Sequence, residues 1–291
     1  MCLLVVAWRA HPRYRLIVAA NRDEYHDRPA APLSPWAAPA ELLAGRDLRA
    51  GGTWLGIDRH RRFGVITNYH EGQRPPEGAP TRGELIPGYL AGRSAAGEYL
   101  GALEADAGRY GGFNLLLADA ESLWYGSNRA APFARRLEAG VYGLSNHQLD
   151  SPWPKLTRVR GHFEQWLHGS ARAAAEPHAL LEILADRRPA GDEAGGPGAG
   201  ARSARDRAVS APFVAHPQFG TRCSTVLLLE SSGALRMCER RFDRLGQSAG
   251  FSDYRLEAGQ WCTVVREPAP SGTVMTDYNE DCRAGRPESE G

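Results

Sequence analysis

Cys2 is the residue of this sequence whose type and position most directly suggest chemistry. Cys is small enough for the preceding Met1 to be removed, and that removal would leave a thiol and a free α-amine on one residue. Such a residue can be a complete catalytic unit, because its terminal amine can act as general base for its own side chain. Free thiols titrate near a pKa of ~8.5 and α-amines near ~7.7–8.0. Cys2 is thus a candidate nucleophile, the alternative being a small buried side chain at a strand start.

Polar residues adjoin apolar runs at four further places, where strand ends can project side chains into a cleft. These places are Asn21-Arg22-Asp23-Glu24, Asn68, Asn146 and Thr221-Arg222-Cys223-Ser224. A guanidinium favours a thiolate, a carboxylate can fix the direction of a terminal amine, and Asn amides can donate to a developing oxyanion. Arg22 or Arg222, Asp23, and Asn68 or Asn146 supply these types. Each cluster taken alone is also typical of a turn.

Two histidines lie just after the candidate asparagines, one within two residues of Asn68 and one next to Asn146. His70 and His147 are candidate axial haem ligands, or else polar, partly exposed side chains. The chain has no H-E-x-x-H and no C-x-x-C motif, and its five cysteines are odd in number and widely spaced. The sequence therefore predicts neither a metal site nor a disulfide framework. No cofactor is required, and haem is a candidate ligand.

The overall charge of the 291-residue chain is nearly balanced, with a formal net charge of +1. No global field therefore favours nucleic acid or an anionic membrane. No apolar run has the length of a membrane span or a signal peptide. We expect a cytoplasmic protein that is monomeric or a homo-oligomer. Lys155 is the only lysine, and every other basic residue is arginine, a bias that a GC-rich bacterial genome explains.

The hydrophobic pattern changes several times between strand-like and helix-like periods. Helices are predicted at residues 85–90, 99–103, 155–168 and 176–186, and residues 28–50, rich in Pro and Ala, are predicted to form a loop. Strands are predicted at residues 2–8, 14–20, 53–58, 63–69, 113–118, 123–125, 141–144, 225–229, 234–238 and 261–265. This order predicts an α+β protein with two antiparallel sheets and helices outside them.

One domain is predicted over residues 1–266. Within it, residues 189–208 are rich in Gly, Ala and Arg without periodicity, which predicts a mobile insertion. The polar tail at residues 267–291 is predicted to be disordered.

The tetrapeptide Asn21-Arg22-Asp23-Glu24 behind Met1-Cys2 resembles the NRDE family, which includes the transport and Golgi organisation protein 2 group. The resemblance covers roughly residues 1–266, and its motifs together are specific. Further matching motifs are Gly51-Gly52-Thr53-Trp54-Leu55-Gly56, Thr67-Asn68-Tyr69, Gly112-Phe113-Asn114-Leu115-Leu116, Tyr142-Gly143-Leu144-Ser145-Asn146 and Gly220-Thr221-Arg222-Cys223-Ser224-Thr225-Val226.

The family is in turn similar to cysteine N-terminal-nucleophile hydrolases such as penicillin V acylase and conjugated bile acid hydrolase. That similarity implies a four-layer αββα sandwich that cleaves linear amides. It implies that Cys2 is nucleophile and base together, that Arg22 stabilises the thiolate, and that Asp23 holds the terminal amine. Asn68 and Asn146 match the regions that supply an asparagine near the oxyanion, and Arg222 matches a late active-site arginine. His147 after Asn146 departs from the small or proline-rich context of the acylases.

The resemblance implies two functions of different kinds. One is hydrolysis of a linear amide or thioester through an acyl-Cys2 intermediate. The other is a non-catalytic role in haem trafficking or in lipid and acyl-CoA binding, in which Cys2, His70 or His147 contacts a large amphipathic ligand. Hydrolysis needs Cys2, Asp23 and the arginines together, whereas haem transfer tolerates the loss of Asp23.

Overall fold

Two antiparallel seven-stranded sheets form the centre of the molecule. The structure is a computed structural model that describes residues 2–37, 41–70, 78–169, 176–190 and 203–266. Sheet I has the strand order β10-β1-β2-β11-β12-β13-β14, and sheet II runs from β3 to β9 in chain order. The strands are β1 Cys2–Trp8, β2 Tyr14–Tyr25, β3 Ala30–Pro35, β4 Leu42–Asp47, β5 Leu55–Asp58, β6 Phe63–Asn68, β7 Phe113–Ala118, β8 Leu123–Ser127, β9 Ala134–Leu137, β10 Gly140–Leu144, β11 Phe219–Glu230, β12 Leu235–Phe242, β13 Ser248–Glu257 and β14 Gln260–Arg266.

Helices cover the outer faces of both sheets. The described helices are α1 Leu85–Ala91, α2 Ala96–Glu104, α3 Pro154–Gly169, α4 Pro177–Leu184 and α5 Ala204–Val209. Helices α1 and α2 pack on sheet II, and α3 and α4 pack on sheet I. None of these described helices has the length and apolar character needed to cross a membrane.

Alternating side chains divide each strand between two cores. In β1, Leu4 and Val6 lie in the core between the sheets, whereas Leu3 and Val5 pack under α3 and α4. This division follows from the two-residue period of a strand. The layers therefore run helix, sheet, sheet, helix, and the αββα sandwich expected from the sequence is confirmed.

The loop predicted at residues 28–50 is wrong, because these residues contain β3 and β4. Pro and Ala argued against strands there. However, β3 is the edge strand of sheet II, where proline removes no hydrogen bond that the ladder needs. The sequence prediction also missed β9 and β13.

Two of the predicted boundaries fall mainly on residues that the structure does not describe. Of the predicted insertion at residues 189–208, the last part forms helix α5, which begins with a capping box between Ser203 and Asp206. Residues 191–202 and the predicted tail at residues 267–291 lie outside the described residues. The extent of the domain therefore stays a prediction.

Candidate active site

Cys2 opens β1 directly opposite Arg22 of β2. Strand β2 continues to Tyr25, so the motif at residues 21–24 lies inside a strand and not after one, as the sequence pattern suggested. On the other side of β2, Cys223 of β11 also pairs with Arg22. Side chains directly opposite each other share one face of a sheet. Cys2, Arg22 and Cys223 therefore lie side by side on the face of sheet I that looks toward sheet II.

The backbone of Cys2 is held by two consecutive residues that follow β10. The Cys2 N–H donates to Oδ1 of Asn146 at 3.1 Å, and the Ser145 hydroxyl donates to the Cys2 carbonyl at 2.9 Å. Nδ2 of the buried Asn146 donates to the carbonyl of Asn68 at 2.8 Å. Because Asn68 ends β6, the Asn146 amide connects the two sheets next to the thiol.

A second row of hydrogen bonds fixes the residues around Asn146. The Thr67 hydroxyl donates to the carbonyl of Ser145 at 3.1 Å, and the Asn114 amide donates to Thr67 Oγ1 at 3.2 Å. The backbone N–H of His70 donates to the carbonyl of Asn146 at 2.7 Å. Thr67 and Asn114 belong to the motifs matched above, and their side chains act on the backbone that positions Cys2.

Arg22 is a buried cation whose guanidinium does not use all of its hydrogen-bond donors. Its guanidinium stacks over the Trp54 ring at 4.3 Å, and Nη2 lies 3.7 Å from Asp47 Oδ2 and 3.9 Å from Glu24 Oε2. Nη1 is buried and has no hydrogen-bond partner among the described residues. Since unpaired buried donors are rare and costly, Nη1 is suited to an anion that enters between the sheets.

Asp23 lies on the opposite face of sheet I, toward the helices. Its Oδ1 accepts a 2.7 Å hydrogen bond from the Thr221 hydroxyl, and only 1% of its surface is exposed. Burial raises the pKa of Asp23, and the charge of Lys155 on α3 opposes that rise. The backbone N–H of Asp23 lowers the pKa of the Cys2 thiol by donating to the sulfur. Asp23 is thus linked to Cys2 through its main chain.

The pKa of the Cys2 thiol lies above its ordinary value. Burial is the main cause that raises its pKa; the negative charge of Asp23 raises it further, and the positive charge of Arg22 lowers it. Nucleophilic attack therefore needs a base to take the thiol proton.

The other predicted site residues lie around this centre in different ways. Arg222 sits in a β-bulge of β11, and its Nη1 donates to the carbonyls of Tyr25, His26 and Arg28. The side chain of Asn68 is exposed. The structure thus brings together Cys2, Arg22 and Asn146, whereas Arg222 holds a loop.

The two histidines flank Asn146 at the outer end of the site. His70 is exposed. His147 is half-buried, its ring lies 5.1 Å from that of Tyr69, and its Nδ1 is 2.9 Å from the Ser151 hydroxyl. Within the described part of the chain, no group of three His, Cys, Asp or Glu side chains is arranged to hold a metal ion.

Sequence reasoning missed two buried charged residues near the site. Lys155 is 1% exposed and its charge acts on Asp23 and Cys2. Glu239 lies beside Cys223, and its Oε1 accepts the backbone N–H of Leu33 from sheet II. A signal existed for Lys155, since a lone lysine in an arginine-rich chain stands directly before the apolar stripe of a helix. Glu239 carries no comparable signal.

The layer order and the cysteine at the start of a central strand define the class, an αββα sandwich with a candidate nucleophile between its sheets. The sequence profile of the family described as Transport and Golgi organisation 2 matches residues 1–244. The chain belongs to the Transport and Golgi organisation 2 family.

Relatives from the same family cover most of the chain. The chain is 34% identical over 265 residues to a Transport and Golgi organization protein 2 homolog of Bos taurus, covering 82% of this chain and 92% of that protein. The Homo sapiens homolog is 33% identical over 262 residues with the same coverage. A solved N-acylethanolamine-hydrolyzing acid amidase ortholog of Caenorhabditis elegans has a TM-score of 0.41 and 13% identity, covering 78% of this chain and 92% of that one. That likeness is too weak to bear on activity.

Proposed function

We propose that this protein is a cysteine N-terminal-nucleophile hydrolase that cleaves a linear amide or thioester through an acyl-Cys2 intermediate. One observation carries the proposal. The backbone nitrogen of Cys2, which becomes the α-amine once Met1 is removed, is held by Asn146 Oδ1 at 3.1 Å, while Arg22 stands opposite with an unpaired Nη1. Amine, thiol and cation are thus supplied at one strand end.

The reaction begins with proton transfer from the Cys2 thiol to its own α-amine. The thiolate then attacks the substrate carbonyl carbon, and an Sγ–C bond forms as the carbonyl electron pair moves to oxygen. Arg22 Nη1 and the exposed Asn68 amide are the groups suited to stabilise that oxyanion. Collapse expels the amine or thiol leaving group, which takes the proton from the α-ammonium.

Water completes the cycle. The α-amine accepts a proton from a water molecule that attacks the acyl carbon, and the second tetrahedral intermediate collapses to a carboxylic acid and free Cys2. Asn146 keeps the amine oriented in both halves of the reaction, because its Oδ1 remains an acceptor for the N–H. A reactive thiol needs a reducing compartment, which supports the cytoplasm as the location.

The test is intact mass after brief exposure to iodoacetamide. We expect one adduct on the wild type, and none on Cys2→Ala or on a variant with an uncleavable N-terminal extension. Cys262→Ala is the matched control, because Cys262 is also a free, half-buried cysteine, and it should label like the wild type. Adducts on several cysteines, or labelling that a blocked terminus leaves unchanged, would contradict the proposal.

A second candidate function is the binding of haem or another large amphipathic ligand such as an acyl-CoA. Its support is the position of His70 and His147 beside Asn146, with the Tyr69 ring tilted against that of His147 at 5.1 Å. Haem titration followed by Soret absorbance tests it. Loss of the bound spectrum in His147→Ala, with binding kept in Cys2→Ala, would favour this function over hydrolysis. Size-exclusion chromatography decides between a monomer and a homo-oligomer.

A further inference from the structure

Lys155 lies at the start of α3 and is almost completely buried, with 1% of its surface exposed. Its Nζ donates to the carbonyl of Val209, the last residue of α5, at 2.9 Å. A buried ammonium is costly unless it is paired with hydrogen-bond acceptors or an opposite charge. One backbone carbonyl is a weak compensation for a full charge, so the position of Lys155 calls for an anion.

Among the charged groups that act on Lys155, Asp23 has the largest effect on its pKa. Asp23 and Lys155 lie on the same side of sheet I. Residues 21 and 23 share one face of β2, and on that face the Asn21 amide donates to the carbonyl of Leu184 at the end of α4. Each of the two charges shifts the pKa of the other toward its charged form. Besides burial, the influences on the pKa of Lys155 are the charges of Asp23 on β2 and Cys2 on β1.

The segment at residues 209–214 links these two side chains through hydrogen bonds. Lys155 holds its first carbonyl, that of Val209. The Asn21 amide holds the carbonyl of Pro212 at 3.0 Å. Thr221 Oγ1 accepts the N–H of Val214 at 2.9 Å and donates to Asp23 Oδ1. Lys155 and Asp23 are thus the two ends of one buried polar network.

We infer that Lys155 is a positioning residue, a buried counter-charge that favours the carboxylate form of Asp23 and fixes Asp23 behind Cys2. The inference rests on the proposed function, because it assigns Lys155, acting through Asp23, a part in holding the Cys2 amine in its role as base. Lys155 does not touch the reacting atoms. It acts through Asp23, whose carboxylate faces the helices and whose N–H faces the sulfur.

The first experiment measures the Lys155–Asp23 coupling without relying on activity. Protein made with ¹⁵N-labelled lysine gives a single Nζ resonance, since Lys155 is the only lysine. The pKa of Lys155 should fall by at least about one unit in Asp23→Asn and stay unchanged in the control Glu164→Gln, a half-buried carboxylate on the same helix that pairs with Arg160. In the wild type, the resonance should also show an inflection as Asp23 titrates in acid, which needs no variant. The absence of both effects overturns the inference.

The second experiment reads the pH profile of iodoacetamide labelling at Cys2. Lys155→Met should slow labelling at neutral pH about tenfold, and Lys155→Met/Asp23→Asn should be no slower than the slower single variant. Arg160→Met, which removes a half-buried cation from the same helix, should leave the profile unchanged. If the two substitutions slow labelling additively in the double variant, Lys155 only supports the fold, and a positioning role is contradicted.

The two experiments separate the two proposals. If the wild type is not labelled at Cys2 while the Nζ resonance still responds to Asp23, hydrolysis fails and the positioning role fails with it, although the charge pair stands. If labelling is selective and Lys155→Met leaves its pH profile unchanged, the proposed function survives and the inference about Lys155 is wrong.

Discussion

Residues 21–24 place buried polar side chains on both faces of sheet I, and the two faces differ in how these side chains are hydrogen-bonded. On the face toward sheet II, Arg22 has two carboxylates at 3.7 and 3.9 Å and an unpaired Nη1. On the face toward the helices, Asn21 and Asp23 make hydrogen bonds of 2.6–3.0 Å to neighbouring elements. The inner face keeps hydrogen-bonding capacity for a ligand, whereas the outer face uses its capacity to hold the strand in place.

This difference predicts that the largest losses of stability come from substitutions on the outer face, whereas substitutions on the inner face act mainly on reactivity. The largest effect is expected on the outer face. Lys155→Met should lower the free energy of unfolding by about 3–5 kcal/mol at neutral pH, because it removes the opposite charge that most favours the buried Asp23 carboxylate. Most of that loss should return in Lys155→Met/Asp23→Asn. Urea denaturation measures the free energy of unfolding of both variants. A double variant that stays as unstable as Lys155→Met would contradict this difference between the two faces.

Asn21→Ala is the next largest expected effect. The Asn21 amide donates to the carbonyls of Leu184 and Pro212, and its Oδ1 accepts the Ser224 hydroxyl at 2.6 Å. Removing it leaves three buried polar groups unsatisfied, which should cost about 3 kcal/mol. The check is again the denaturation midpoint. A loss under about 1 kcal/mol would show that water replaces these contacts.

Arg22→Met should act mainly on reactivity. It removes the cation that lowers the pKa of Cys2, so labelling at neutral pH should slow at least about tenfold, equal to about 1.4 kcal/mol. Stopped alkylation followed by mass spectrometry gives the rate. If the labelling rate of Arg22→Met is unchanged and the variant is instead strongly destabilised, the inner face contributes to stability just as the outer face does.

The smallest expected effect is a pH dependence. Burial raises the pKa of Asp23 above its unfolded value of 3.8, so the native state binds this proton more tightly than the unfolded state does. The stability of the wild type relative to Lys155→Met/Asp23→Asn should therefore fall as the pH rises above about 4. Denaturation at pH 4, 5 and 6 measures this slope, and a rising difference would refute it.

Much of the fold could be predicted from periodicity, and the failures have physical reasons. The helix at Pro154–Gly169 and the first hairpin carry clear apolar patterns, and both formed as expected. Strand β3 was missed because its prolines are tolerated only through its place at a sheet edge, which the local sequence does not reveal.

The candidate site divides in the same way. Motifs identified Cys2, Arg22 and Asn146, and the sheet register brings these residues together. Periodicity could not show that Arg222 lies in a bulge, because a bulge shifts the alternation by one residue. Nor could it show that Lys155 reaches behind Asp23, since that depends on how α3 crosses the sheet.

The paired position of two cysteines around Arg22 has a consequence for oxidation. Cys2 and Cys223 lie on strands separated by β2, so their Cα atoms are about 10 Å apart, beyond the reach of a disulfide. A sulfenic acid formed by peroxide at Cys2 therefore finds no resolving thiol in Cys223. Recovery depends on a small external thiol such as glutathione, and without one the oxidation proceeds to irreversible sulfinic acid.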